Sequence, residues 1–189
     1  RSIDAAVNFL SVIKGNNMTV YSVTLNEPRI HAIVTKEGKA NWDIVKPDSA
    51  DKRAGANEKS FQLELNQYAI RDGYLKYDDE SSDIHGEIIN LDHEGRGDFT
   101  AELFTLYTKT KAEALNFTYA AILYLVNTQT GIDADIQVDN KTNTYTFKTD
   151  RINLNELVLN AGGFFQLVND STYKMDISFS APSTNFKNI

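Results

Sequence analysis

The feature that most constrains this chain is alternation with a period of two, repeated in short runs from about Met18 to the C-terminal end. In "GIDADIQVDN" the apolar residues Ile132, Ala134, Ile136 and Val138 occupy one parity, and Asp133, Asp135, Gln137 and Asp139 the other. Successive side chains of a strand point to opposite faces, so this run predicts a strand with one apolar and one solvated face. Phe61, Leu63 and Leu65 alternate in the same way, as do Tyr173, Met175, Ile177 and Phe179. Further strands are predicted at about 86–93, 97–108, 111–119, 132–138, 143–148, 151–160, 163–168 and 172–180. Short strands at this spacing predict a mainly β fold built on a long, twisted antiparallel sheet, either curled as an open trough or closed as a sandwich-like core.

The N-terminal stretch "SIDAAVNFLSVIKG" departs from that pattern. Ile3, Val7, Leu10 and Ile13 recur at helical spacing between a Ser2 cap and Gly15, with Asp4 and Lys14 suited to the helix dipole. This predicts an α-helix packed at one end of the sheet. Pro28 in "NEP" and Gly38 in "KEGK" predict two connected hairpins, the second leading into "ANWDIV". Trp42, the only tryptophan, reads as a peg closing those hairpins together with Asn41, in preference to a wall of a binding site.

Asp72-Gly73 predicts a tight hairpin, and a bulge near Asn66 and Gln67 would account for the apolar set changing parity between Leu65 and Tyr68. "LNQYAIRDGYL" and "LNELVLNAGGFF" echo one another as two repeated Gly turns. "YAAILYLVNTQTG" fits a strand or a short helix equally. Residues 46–59 contain no aromatic or branched aliphatic side chain, which predicts a flexible polar loop within a single domain spanning 1–189.

Composition narrows the function classes. The net charge of −7 repels phosphate backbones and argues against nucleic acid as a partner. With no cysteine, thiolate catalysis, disulfides and Cys-ligated zinc are excluded. His31, His85 and His93 show neither HxxxH nor HExxH spacing, and Asp133, Asp135 and Asp139 lie on one strand face without the Gly-bearing turn of a calcium loop. "YDDESSD" reads as a solvated turn. GxSxG, P-loop and GxGxxG motifs are all missing, so no catalytic residue, metal ligand or cofactor is assigned. The Arg1 start, with neither initiator Met nor a signal-peptide pattern, reads as a segment of a longer precursor.

The order of apolar segment, "SVTLNEPRIHAIVTKEGKANWDIV", polar loop and "SFQLELNQYAIRDGYLKYDD" resembles the AsmA family of bacterial envelope proteins. The most specific marks are Pro28, the run from Gly38 through Asn41 to Trp42, and Asp72-Gly73 leading to Tyr77-Asp78. The ending "YKMDISFSAPSTNFKNI" is similar to AsmA-like proteins of Bacteroidetes. The resemblance implies a periplasmic body tethered to the inner membrane by an N-terminal anchor that this chain lacks. It also implies a non-enzymatic part in outer-membrane biogenesis or lipid transport, since the larger relatives, TamB among them, resemble bridge-like lipid transfer proteins with an apolar trough. The partner would then be a phospholipid or another acyl lipid. Phe61, Leu63, Leu65, Ile132, Ile136, Val138, Met175, Ile177 and Phe179 are the candidate groove residues. A closed core needs the same alternation, so a periplasmic scaffold without lipid cargo stays open, as does a glycan-binding or hydrolytic β domain.

Overall fold

The computed structural model describes residues 1–7, 20–43, 65–169 and 172–181. Within them the alternating runs form ten strands: β1 (Ser2–Val7), β2 (Val20–Asn26), β3 (Arg29–Val34), β4 (Gln67–Asp79), β5 (Ile84–Arg96), β6 (Leu103–Tyr119), β7 (Ile122–Asp139), β8 (Thr144–Leu154), β9 (Leu157–Asn169) and β10 (Thr172–Ser180). All belong to one sheet in the order β1-β2-β4-β5-β6-β7-β8-β9-β10, with β3 also on β4. From β4 to β10 each strand pairs antiparallel with the next, whereas β2 and β3 both run parallel to β4, so the sheet is mixed. Among the described residues there is no helix and no second sheet.

Several turns follow from short polar side chains bonding the backbone ahead of them. Asp79 accepts the amides of Ser81 (2.9 Å) and Ser82 (3.1 Å), and Asp139 those of Lys141 (2.9 Å) and Thr142 (3.1 Å). Residues 80–83 of the "YDDESSD" segment are thus the turn between β4 and β5, while Tyr77, Asp78 and Asp79 end β4. Asn155, at φ 51°, begins the turn from β8 to β9. The β6–β7 turn carries no such signal: Ala120 and Ala121 adopt φ of 48° and 61° without Gly or Asn, held by the ladder on either side.

The predicted N-terminal helix is corrected. Residues 2–7 form β1, because Ile3, Ala5 and Val7 alternate with Asp4 and Ala6 as well as Ile3 and Val7 fit a helix, and pairing with β2 decides between the two periods. Cross-strand bonds from Asn26 Nδ2 to Asp4 (2.5 Å) and to Ser2 Oγ (3.0 Å) lock that register. The remainder of the predicted helix, residues 8–15, lies outside the described residues, as does the polar loop 46–59.

"NEP" does not reverse the chain. β2 pairs Asn26 with Arg71 and β3 pairs Arg29 with Tyr74, the same offset on both sides, so the two strands form one interrupted edge along β4. The interruption, Glu27-Pro28, faces Asp72-Gly73, and the two chains kink together: Glu27 and Asp72 both have φ 50°, Glu27 N donates to Arg71 O (2.8 Å) and Tyr74 N to Pro28 O (2.8 Å). Asp72-Gly73 is therefore a bulge inside β4 and not a hairpin, and the register irregularity lies there, not at Asn66 and Gln67. Gly162 and Gly163 likewise sit inside a strand, β9, whose register runs through them unbroken, so the two echoing segments are not two turns. The predicted strands 97–108 and 111–119 are largely one strand, β6, beginning at Leu103, and "YAAILYLVNTQTG" enters β7 as strand.

The turn at Gly38 (φ 75°) is as predicted: it brings Ala40 back to Val34 in an antiparallel bridge. Asn41 then closes the outer edge of β3, its side chain accepting from Ile33 N (3.0 Å) and donating to His31 O (2.8 Å). Trp42 lies beside Tyr77, ring centroids 6.4 Å apart, and keeps 54% of its surface exposed. Asn41 makes the closing bonds, and Trp42 rests on the sheet beside them.

Candidate functional site

Pairing register assembles the predicted groove residues, because directly opposed residues share a face. Three successive rows cross β6 to β10: Phe104, Val138, Tyr145, Phe165, Met175; then Leu106, Ile136, Phe147, Gly163, Ile177; then Thr108, Ala134, Thr149, Ala161, Phe179. Ile132 continues the same face between Thr110 and Ile152. The structure thus brings Ile132, Ile136, Val138, Met175, Ile177 and Phe179 together. Leu65 precedes β4 near Phe99, and Phe61 and Leu63 lie outside the described residues. The sequence reading missed Phe104, Leu106, Tyr145, Phe147 and Phe165, although the alternations at 104/106 and 145/147 carried the same signal.

The face is graded across its width. Small residues in its centre are buried, among them Thr108, Thr149 and Ala161, while Met175, Ile177 and Phe179 on β10 are 53%, 36% and 66% exposed. No large side chain among the described residues is fully buried. A sheet with a second layer would enclose such side chains; here large apolar groups meet solvent on a surface of the kind that marks interaction sites. The kinks preserve the face across their line. A Cβ on Gly73 would meet Ile70 Cγ2 at 2.7 Å and Leu75 Cδ1 at 3.5 Å, so Ile70 and Leu75 project to one side despite their unequal parity.

One polar chain is embedded in this face. Tyr68 Oη lies 3.0 Å from His93 Nε2, and His93 Nδ1 lies 2.9 Å from Thr110 Oγ1. Burial pushes the imidazole's pKa down, favouring the neutral ring, which both hydroxyls can satisfy. Its sequence neighbours Asp92 and Glu94 fall on the opposite face by alternation.

That opposite face is charged. A groove of ≈ 570 Å³ there includes Arg71, Glu94, Tyr107, Lys109, Asp133 and Asp135 in its lining. Arg71 holds Glu94 at 2.8 Å and keeps its carboxyl below the ordinary range. Asp133 stands opposite Lys109 and Arg151, and Asp135 opposite Lys148, an arrangement of compensated rows.

Near the β3 end, Asp78 gathers three donors: His31 Nε2 (2.5 Å), His85 Nδ1 (2.8 Å) and Lys76 Nζ (2.9 Å). The imidazoles aim at the carboxylate and an ammonium takes the third approach. No group of three potential metal ligands forms a site among the described residues. Burial pushes the Asp78 carboxyl up, but the bonds from His85, Lys76 and His31 outweigh it and hold it far below the usual range. The hydrogen bond to Asp78 raises the His85 pKa, with Asp83 adding to it. A raised folded-state value means that the stabilisation is complete below the unfolded value of about 6.5 and fades as pH rises through the folded value. Lowering pH from 8 to 6 is therefore expected to tighten the β4–β5 pairing at Asp78 and His85, slowing its exchange-corrected amide opening about two- to five-fold, as suits a solvent-exposed pair. The effect should vanish in His85→Asn; an unchanged pH response in that variant would refute the assignment.

No protein-family model, curated protein or solved structure matches the chain.

Proposed function

We propose that this chain is an AsmA-like, non-enzymatic domain of the cell envelope that holds acyl chains of lipids against the apolar face of its sheet, contributing to lipid transport or outer-membrane biogenesis. On this reading it works in the periplasm, tethered to the inner membrane in the full-length protein. The observation that carries the proposal is the continuous apolar face of a ten-stranded sheet with no second layer over it among the described residues. Acyl chains gain free energy on leaving water for such a surface, with no nucleophile or metal required. The sheet then acts as an open trough and not as half of a sandwich.

Detergent-free purification followed by native mass spectrometry tests it. Stoichiometric phospholipid is expected, together with extraction of labelled lipid from liposomes. A Met175→Asp, Phe179→Asp double variant should lose that lipid while keeping its circular dichroism and melting, since both side chains are already largely exposed. Repeated purification without lipid, and no extraction, would sink the reading.

The scaffold alternative is favoured by one observation, the edge strands β1 and β10, whose residues are exposed throughout; it would gain if lipid were missing and an envelope protein paired with those edges. A glycan-cleaving role is less well supported. The charged groove offers Tyr107 as a platform, but Asp133 and Asp135 are exposed and lack the apolar pocket that a general acid uses.

A further inference from the structure

The tip of the hairpin joining β6 and β7, residues 117–126, lies beyond the groove rows. Residues 114–132 contain no Asp, Glu, Lys, Arg or His, although charged residues make up 24% of the chain. At the tip Tyr119 pairs with Ile122 and Thr118 with Leu123. Opposed residues share a face and consecutive ones alternate, so Ile122 and Leu123 project from opposite faces. Ile122, Leu123, Tyr124 and Val126 are 56%, 67%, 56% and 57% exposed. β8 pairs with β7 only from Thr130 onward, leaving this end clear of the sheet on that side.

We propose that this hairpin tip inserts into the interfacial layer of a lipid bilayer. β5 flanks the tip on the β6 side, with Ile84 on Tyr119, Gly86 on Phe117 and Asp83 O accepting from Ala120 N (3.0 Å), so the tip would enter by its β7 edge. A protein groove would cover one face, but apolar groups on both faces are satisfied together only by a surrounding medium. From Tyr119–Ile122 to Phe117–Leu125 the paired rungs span about 7 Å, at roughly 3.4 Å per residue along β6, which matches the shallow depth of the headgroup and acyl boundary. Tyr119 and Tyr124 supply the amphipathic rings that settle at that level. Deeper entry is opposed by the outer backbone edge of residues 122–126, which has no strand partner among the described residues and needs water. The tip has no basic residue and the chain carries −7, so charge attraction to anionic lipid plays no part.

The chain has no cysteine, so Leu123→Cys accepts a single nitrobenzoxadiazole label, with Thr146→Cys on the polar face as control. On phosphatidylcholine vesicles the label at 123 is expected to shift blue and brighten while the control stays unchanged. An Ile122→Glu, Leu123→Glu variant should lose about ten-fold or more of its vesicle affinity with its melting unaltered. Adding phosphatidylglycerol should weaken binding. The proposal fails if neither label responds, if the double-Glu variant floats as well as the parent, or if the tip is buried by self-association without vesicles. Lipid extraction by the groove is a separate measurement, so failure of either reading leaves the other standing.

Discussion

Replacing Gly163 by alanine is expected to cost about 3–5 kcal/mol, either unfolding the sheet or stripping β10 from it. Gly163 sits in mid-strand at φ 148°, a conformation that L side chains rarely adopt, directly opposite Ile177 of β10. An added Cβ would lie 1.9 Å from Asp176 O and 2.9 Å from Ile177 Cα. Both are backbone atoms, so no side-chain rotation relieves the contact and the β9–β10 ladder must open. A loss of that size is a large part of the roughly 5–15 kcal/mol that holds a domain folded. Gly162→Ala is the control, because its Cβ would meet nothing closer than Phe147 O at 3.6 Å, and its effect should stay within about 1 kcal/mol. Urea melts give both values, and hydrogen exchange of β10 distinguishes detachment from global unfolding. Equal effects at the two glycines would refute the account.

Tyr68→Ala should be nearly as damaging, about 2–4 kcal/mol, whereas Tyr68→Phe should cost about 1 kcal/mol. The Tyr68 ring lies over Gly95, where a Cβ would come within 2.5 Å of it, and packs 6.0 Å from Phe99 and 5.4 Å from the His93 ring. Truncation removes that packing and leaves the half-buried His93 with one of its two hydroxyl partners, Thr110; the Phe variant removes the Tyr68 hydroxyl alone. The geometry also requires coupling. Gly95→Ala should be harmful in the parent and nearly neutral beside Tyr68→Ala, because the clashing ring is then gone. Additive losses in that double-mutant cycle would show that the ring does not occupy the space above Gly95.

How much was legible varies by element. Ile132 to Asp139 alternate without interruption, and their strand and the separation of its two faces followed from the sequence. Asp79, within "YDDESSD", marked a real turn because its carboxylate bonds amides two and three residues ahead, an interaction local enough to read; Asp139 makes the same bonds but was read only as part of a strand face. Asp72-Gly73 carried an equally strong local signal and misled, since a left-handed Asp serves a bulge as well as a hairpin. The choice was made by Glu27-Pro28 in the neighbouring strand, dozens of residues away. Ala120-Ala121 gave no turn signal because the flanking ladder, not the residues, imposes the positive φ. In the candidate site, Met175 and Ile177 were legible from their own strand, while their place beside Phe165 and Phe147 depends on register between strands.

By itself the sequence determined that the chain is mainly β, that strands such as 132–138 and 173–179 have an apolar side at one parity, and that its composition leaves out thiol chemistry, because these properties depend on residue type and on a period of two. Only the tertiary structure decided that residues 2–7 pair as an edge strand instead of coiling, that β2 and β3 run parallel to β4, and that the apolar sides join into one face across β6 to β10. Those outcomes rest on hydrogen bonds and contacts between segments far apart in the chain, where several pairings satisfy the same local pattern and the sum over all strands selects one.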